Sequence, residues 1–158
     1  MMRGGAVSTF QRWQFRAGRP NRSARVLSGL LGIAFAAGIG PNQAATIEVR
    51  GRKTGRKISF PIVVVAYEGE RYLVAMMGDK TNWVRNLRAD SHAVLQRGRR
   101  ENVSVVEDFS SNRAAILRRY LEISAGARPF FPITRRAPLG DFERIVNEYP
   151  VFRVAPAV

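Results

Sequence analysis

Two apolar, β-branched runs, Ala45-Thr46-Ile47-Glu48-Val49-Arg50 and Ile58-Ser59-Phe60-Pro61-Ile62-Val63-Val64-Val65-Ala66-Tyr67, flank the short segment Gly51-Arg52-Lys53-Thr54-Gly55-Arg56-Lys57. Two strand-like runs joined by so short a link, with two glycines in it, can only fold back on each other, so a β-hairpin is predicted. Its tip packs four cations (Arg52, Lys53, Arg56, Lys57) and the Thr54 hydroxyl into six residues. Gly51 and Gly55 are free to take positive φ and to let a ligand approach the backbone. Exposed N–H groups, a hydroxyl and long cations suit a phosphate or carboxylate tail. A solvated basic turn would have the same composition.

A chain of 158 residues with 46% apolar side chains can bury one real core. The absence of cysteine removes disulfides and thiolate metal sites and is compatible with a cytoplasmic location. The net charge of +14 is uneven: residues 1–57 hold nine Arg, two Lys and one Glu, so +10, and the other 101 residues supply +4. Such a surface attracts polyanions, whether nucleic acid, anionic lipid or a multiply charged cofactor.

Residues 1–43 read as a basic N-terminal segment, partly disordered, with a short apolar helix, and residues 44–158 as the folded domain. Phe10, Trp13 and Phe15 suit a short interfacial helix. Val26 to Gly40 carries no charge, but fifteen residues fall short of the roughly 20 that a membrane span needs. A basic stretch, an apolar run and Gln43-Ala44-Ala45 have the outline of a signal peptide, a less favoured alternative because a basic region of about 25 residues is too long for an ordinary one. The apolar run is expected to pack on the domain or to lean on an anionic membrane.

Within the domain, strands are predicted at 45–50, 58–67, 71–77, 92–97, 100–106 and 151–154. Glu68-Gly69-Glu70 and Gly98 mark turns. Helices are predicted at 79–89, capped by Asp79 or Thr81, at 110–124, and at 138–148. Pro129 and Pro132 bracket an aromatic loop, Phe130-Phe131. Short strands in succession with tight turns give an α+β fold with a small, mostly antiparallel six-stranded barrel and three or four helices.

Protein-borne catalysis leaves almost no trace. The single His92 opens a strand, Asp79, Asp90 and Asp108 sit at helix or strand boundaries, and no nucleophile motif or metal-ligand spacing occurs. An enzyme of this composition would need a cofactor to supply the reactive chemistry. Thr81-Asn82-Trp83-Val84-Arg85-Asn86 supports that idea, because Trp83 in a first helical turn can stack on a flat ring and Asn82 and Asn86 share a helix face. A core role for Trp83 fits the same pattern.

Arg52-Lys53-Thr54-Gly55 before a strand, then Pro61, then Glu68-Gly69-Glu70-Arg71-Tyr72, then Asn82-Trp83-Val84-Arg85-Asn86-Leu87-Arg88-Ala89-Asp90, resembles the deazaflavin (coenzyme F420)-dependent nitroreductase and quinone reductase family over about residues 44–106. The resemblance implies a split β-barrel and coenzyme F420, with FMN a less favoured alternative. It implies that Arg52, Lys53, Thr54 and Gly55 hold the phosphate and oligoglutamate tail with Arg56 and Lys57 nearby. By the same likeness Pro61, Ile62, Val63, Ala75, Met76, Met77 and Gly78 line the ring, and Asn82, Trp83 and Asn86 contact the cofactor. Ile58 stands where the family carries a cation, and Val84 replaces an aromatic residue. The activity implied is hydride transfer to a small, flat, electron-poor acceptor, a quinone or nitroaromatic. Phe130 and Phe131 are candidates for the acceptor's wall or for core packing. A non-catalytic cofactor- or lipid-binding protein of the same fold is the alternative. Nucleic-acid binding is not expected, because no sheet face interleaves aromatics with cations.

Overall fold

The computed structural model describes residues 43–157. The expectations for the basic segment and its apolar helix fall outside that range. Seven strands and three α-helices run in the order β1 (Ala44–Arg50), β2 (Lys57–Val63), β3 (Val65–Tyr67), β4 (Glu70–Val74), α1 (Asn82–Ala89), β5 (His92–Arg97), β6 (Arg99–Asp108), α2 (Arg113–Ile123), α3 (Leu139–Ile145) and β7 (Val151–Pro156). Short 3-10 turns cover Ala125–Phe130 and Val146–Glu148.

All strands belong to one antiparallel sheet of order β2-β1-β5-β6-β7-β4-β3. The predicted strand 58–67 is two strands, which makes seven rather than six. They lie at opposite edges of the sheet although Val64 alone separates them. A chain that passes between the two edges in one residue must roll the sheet until those edges meet. The result is a curled, split barrel in which β2 and β3 are not paired. Val64 turns the corner and donates its N–H to the Gln43 carbonyl at 2.6 Å.

Alternation along the strands sorts side chains to two sides. Ala45, Ile47, Val49, Leu73, Ala93, Leu95, Val103, Val105, Phe152 and Val154 fill the barrel interior, and Val84 and Leu87 of α1 close one end. On the outside, Val65, Tyr72, Val74 and Val151 carry α2 and α3 through Ala114, Ile116, Leu117, Tyr120, Leu121 and Phe142. Burying a residue such as Leu73 or Phe152 stabilises the fold by about 1.5–3 kcal/mol.

Three boundaries differ from expectation. β4 stops at Val74 rather than running to Met77: Ala75 still gives its N–H to the Pro150 carbonyl at 2.9 Å, but Pro150 has no N–H to return a bond, and Gly78, at φ 86°, turns the chain back. Helix α1 starts at Asn82, and Thr81 holds the cap position without capping: its hydroxyl donates to the Gly78 carbonyl at 2.7 Å. Asp79 does not cap either; it pairs with Arg88 at 2.6 Å. Phe130 and Phe131 are not an open loop, since Phe130 ends a 3-10 turn and Phe131 is 8% exposed and stacks on Tyr149 at 4.1 Å.

Candidate functional site

The basic hairpin is internally braced. The Gly51 N–H donates to the Arg56 carbonyl at 2.8 Å, and the Gly55 N–H to the Gly51 carbonyl at 2.9 Å. Gly55 takes φ +70°, as its neighbours demand, but Gly51 does not take positive φ. Gly51 fits tightly instead: a Cβ there would lie 3.1 Å from Thr54 Oγ1, so that side chain would have to give way. That hydroxyl already accepts the Arg56 N–H at 3.2 Å. The N–H groups of Lys53 and Thr54 have no partner among the described residues. Lys57 leans on Glu48 at 3.8 Å, which Arg100 also meets at 3.5 Å. Lys53 and Arg56 are exposed and meet no carboxylate among the described residues. The tip therefore offers two N–H donors and two uncommitted cations.

Arg52 behaves differently from its neighbours. It is half-buried, and both its backbone N–H (3.2 Å) and its Nη1 (2.8 Å) donate to Asn86 Oδ1. Asn86 is 3% exposed, one of three buried polar residues among those described. The hairpin is thus fastened to α1 across 34 positions of sequence. One turn before Asn86, Trp83 leans on the barrel interior, its ring 5.5 Å from Phe152 and 6.0 Å from Phe60. Trp83 is half-buried, so it is both part of the wall and open at the rim. Asn82 is half-buried beside it.

The turn that leads into α1 is also tied down. Arg88 bonds to Asp79 at 2.6 Å and, through Nε and Nη2, to both carboxylate oxygens of Glu107 at 2.8 Å. The Arg88 guanidinium holds the Asp79 carboxyl below its ordinary range, and Glu107 first and Asp79 second raise Arg88 itself. Gly78, Thr81 and Trp83 are thereby fixed relative to the sheet.

The remaining candidates divide. Ile62 and Ala75 face the interior with Phe60, while Val63 and Met76 pack on the opposite, helix-covered core. Pro61, in the edge strand opposite Thr46, and Met77 are half-buried. The structure therefore brings residues 52–57, Gly78, Asn82, Trp83 and Asn86 to one end of the barrel. It does not put Pro61, Ile62, Val63, Ala75 and Met76 on a single face. Two features escaped the sequence reading. Phe60 meets the Trp83 ring, which alternation with Ile62 could have suggested. Ile58, 43% exposed, stands at the hairpin base as an apolar rim. Tyr120 and Tyr149 lie in the helix-covered core; burial pushes the Tyr120 phenol up to about 12, and Tyr149 donates its hydroxyl to the Phe130 carbonyl at 3.0 Å.

A cavity of about 260 Å³ adjoins the hairpin on the outer sheet face, lined by Glu48, Arg50, Lys57, His92 and Arg100 among others. A second, of about 360 Å³, opens at the other end of the barrel beside Arg71, Arg97 and Glu101. No group of three or more His, Asp or Glu that could hold a metal occurs among the described residues.

The F420H(2)-dependent quinone reductase family matches residues 25–127, which is 103 of the 158 residues. Among solved structures, a domain-swapped dimer shares 18% identity, with 85% of this chain and 94% of that chain covered and a TM-score of 0.55. An F420-H2 dependent reductase, FDR-A, shares 19% identity over 72% of this chain and 95% of its own, with a TM-score of 0.50. The conserved hypothetical protein Rv2991 from Mycobacterium tuberculosis shares 14% over 90% and 85%, with a TM-score of 0.52. At these identities the likeness is one of fold. A comparison with curated proteins found no match.

Proposed function

The chain belongs to the F420H(2)-dependent quinone reductase family, and from that premise we propose that it is an oxidoreductase passing a hydride from reduced F420 to a flat, electron-poor acceptor of the quinone or nitroaromatic class. F420H2 is the cofactor that the family specifies. The residues present fit that group. Two unpaired loop N–H groups with Lys53 and Arg56 match an anionic tail, and the half-buried Trp83 beside the apolar Phe60 matches a flat ring. The observation that carries the proposal is the Arg52–Asn86 bond pair, which sets the tail-binding chemistry and the ring-binding chemistry side by side.

Bound there, reduced F420 supplies the hydride. Lys53 and Arg56 neutralise tail charge and fix its direction. Trp83 offers a rigid face that orients a ring with little loss of side-chain entropy. Phe60, Ile62 and Ala75 keep the barrel side of the site dry, so that charge developing on the acceptor is not quenched by bulk water. No protein side chain is required as nucleophile, in keeping with the sequence. Among the described residues no helix is long and apolar enough to cross a membrane. A cytoplasmic enzyme whose residues 1–40 touch an anionic membrane surface is part of the same proposal.

Fluorescence titration of the purified chain with F420, FMN and haem in parallel tests cofactor choice, and oxidation of F420H2 with menadione as acceptor tests turnover. Tight F420 binding without menadione-dependent oxidation would instead indicate a binding protein. Preference for FMN or haem would overturn the assignment.

A further inference from the structure

Resting on the cofactor reading above, we infer that Asn86 is a positioning residue that, through its side-chain oxygen, couples the tail-binding hairpin to the ring-binding helix. The Oδ1 of Asn86 takes two donors from Arg52, one from the backbone and one from the guanidinium. An amide nitrogen could not accept either bond, so the orientation of the Asn86 side chain is set. Asn86 is 3% exposed, and with both lone pairs of that oxygen taken by Arg52 the oxygen cannot also serve an incoming ligand.

The position of these bonds gives them their effect. Arg52 opens the loop whose closure depends on only two backbone bonds, Gly51 to Arg56 and Gly55 to Gly51. Among the described residues no other side-chain hydrogen bond or ion pair ties residues 52–56 to the body of the barrel: Thr54 bonds within the loop, and Lys53 and Arg56 reach solvent. Asn86 lies in the middle of α1, one turn after Trp83, and α1 is locked at its far side by Arg88 to Glu107 and Asp79. Asn86 therefore passes the rigidity of the helix to the hairpin. Without it the loop N–H groups and cations would sample many positions relative to Trp83, and a ligand bridging both would have to order them on binding.

This coupling predicts a pattern that a merely structural asparagine would not give. Asn86→Leu should weaken binding of full-length F420 by about tenfold, the cost of ordering on binding a hairpin that the two Arg52 bonds otherwise hold. Binding of the deazaflavin riboside that lacks phosphate and glutamates, which does not bridge to the hairpin, should change less than about twofold. Asn86→Asp keeps an acceptor opposite Arg52 and should restore the full cofactor. In the cofactor-free protein, amide hydrogen exchange at Gly55 and Arg56, whose N–H groups are bonded within the loop, should rise in Asn86→Leu and in Arg52→Ala, stay low in Asn86→Asp, and rise no further in the double variant. Equal weakening of both ligands in Asn86→Leu, or unchanged exchange at Gly55 and Arg56, would overturn the inference. If Asn86→Leu does not fold, Arg52→Ala, whose change lies at the surface end of the bond, decides by the same exchange measurement. A wild-type chain that binds neither ligand refutes the cofactor reading and this role with it, while the exchange difference would still report the clamp.

Discussion

Trp83→Leu is the substitution that most directly separates packing from binding. The ring is in tilted contact with Phe152 at 5.5 Å and Phe60 at 6.0 Å. Each such aromatic pair contributes about 0.5–1.5 kcal/mol beyond its buried area. The smaller leucine also gives up roughly 60 Å² of apolar burial, about 1.5 kcal/mol. Trp83 is only half-buried, so the sum is discounted to about 2–3 kcal/mol, below the 3–5 kcal/mol typical of deleting a fully buried aromatic side chain. On a domain of this size that lowers Tm by about 10 °C. A tryptophan serving only the cofactor would leave Tm nearly unchanged, so the wall contacts make this variant costly even before any ligand is added. Thermal unfolding followed by circular dichroism checks the first part. Cofactor titration at 25 °C, where the variant remains folded, checks the second, and a loss of about tenfold is expected if the ring stacks on the deazaflavin. A Tm within 2 °C of wild type would refute the packing geometry. A large fall in Tm with affinity intact would remove Trp83 from the binding site.

Lys53→Ala and Arg56→Ala should each weaken F420 binding by about 1–3 kcal/mol, less at high salt and more with longer oligoglutamate tails; titrations against tail length read this directly. Phe131→Ala should cost about 3–5 kcal/mol of stability and leave cofactor affinity unchanged, because its ring stacks on Tyr149 in the helix-covered core; chemical denaturation with a parallel titration checks both halves. Arg71 bonds to both oxygens of Glu101 and holds that carboxyl below its ordinary value of 4.5. A lowered folded-state pKa means stabilisation that is present above the unfolded value and lost as pH falls through the folded one. The stability gap between wild type and Glu101→Gln should therefore be constant near neutrality and close below about pH 4.5 in urea melts.

The hairpin, the strand alternation and the apolar stripe of α2 were legible because each is a local period. What failed to show was decided by distant partners. Ile62-Val63-Val64-Val65 is uniformly β-branched and carries no punctuation, so the change of pairing partner at Val64 leaves no mark in composition. Met76 and Met77 look like strand, yet the ladder of β4 runs out where its partner strand reaches Pro150, some 75 positions away and without an N–H to give. The two asparagines of α1 were visible as a pair, but the partner of Asn86 was not, since Arg52 lies 34 residues upstream. Phe131 read as loop because Pro129 and Pro132 surround it; its stack on Tyr149 is a tertiary contact that spacing does not encode.

The corner at Val64 has a mechanical consequence. Every other junction of this sheet is a ladder of hydrogen bonds, but at the seam β2 and β3 are joined only through the single residue Val64. Pulled apart at that seam, the sheet would open like a cuff without sacrificing a single rung of its ladders. The curvature of this small barrel is in that sense a property of its connectivity as much as of its packing.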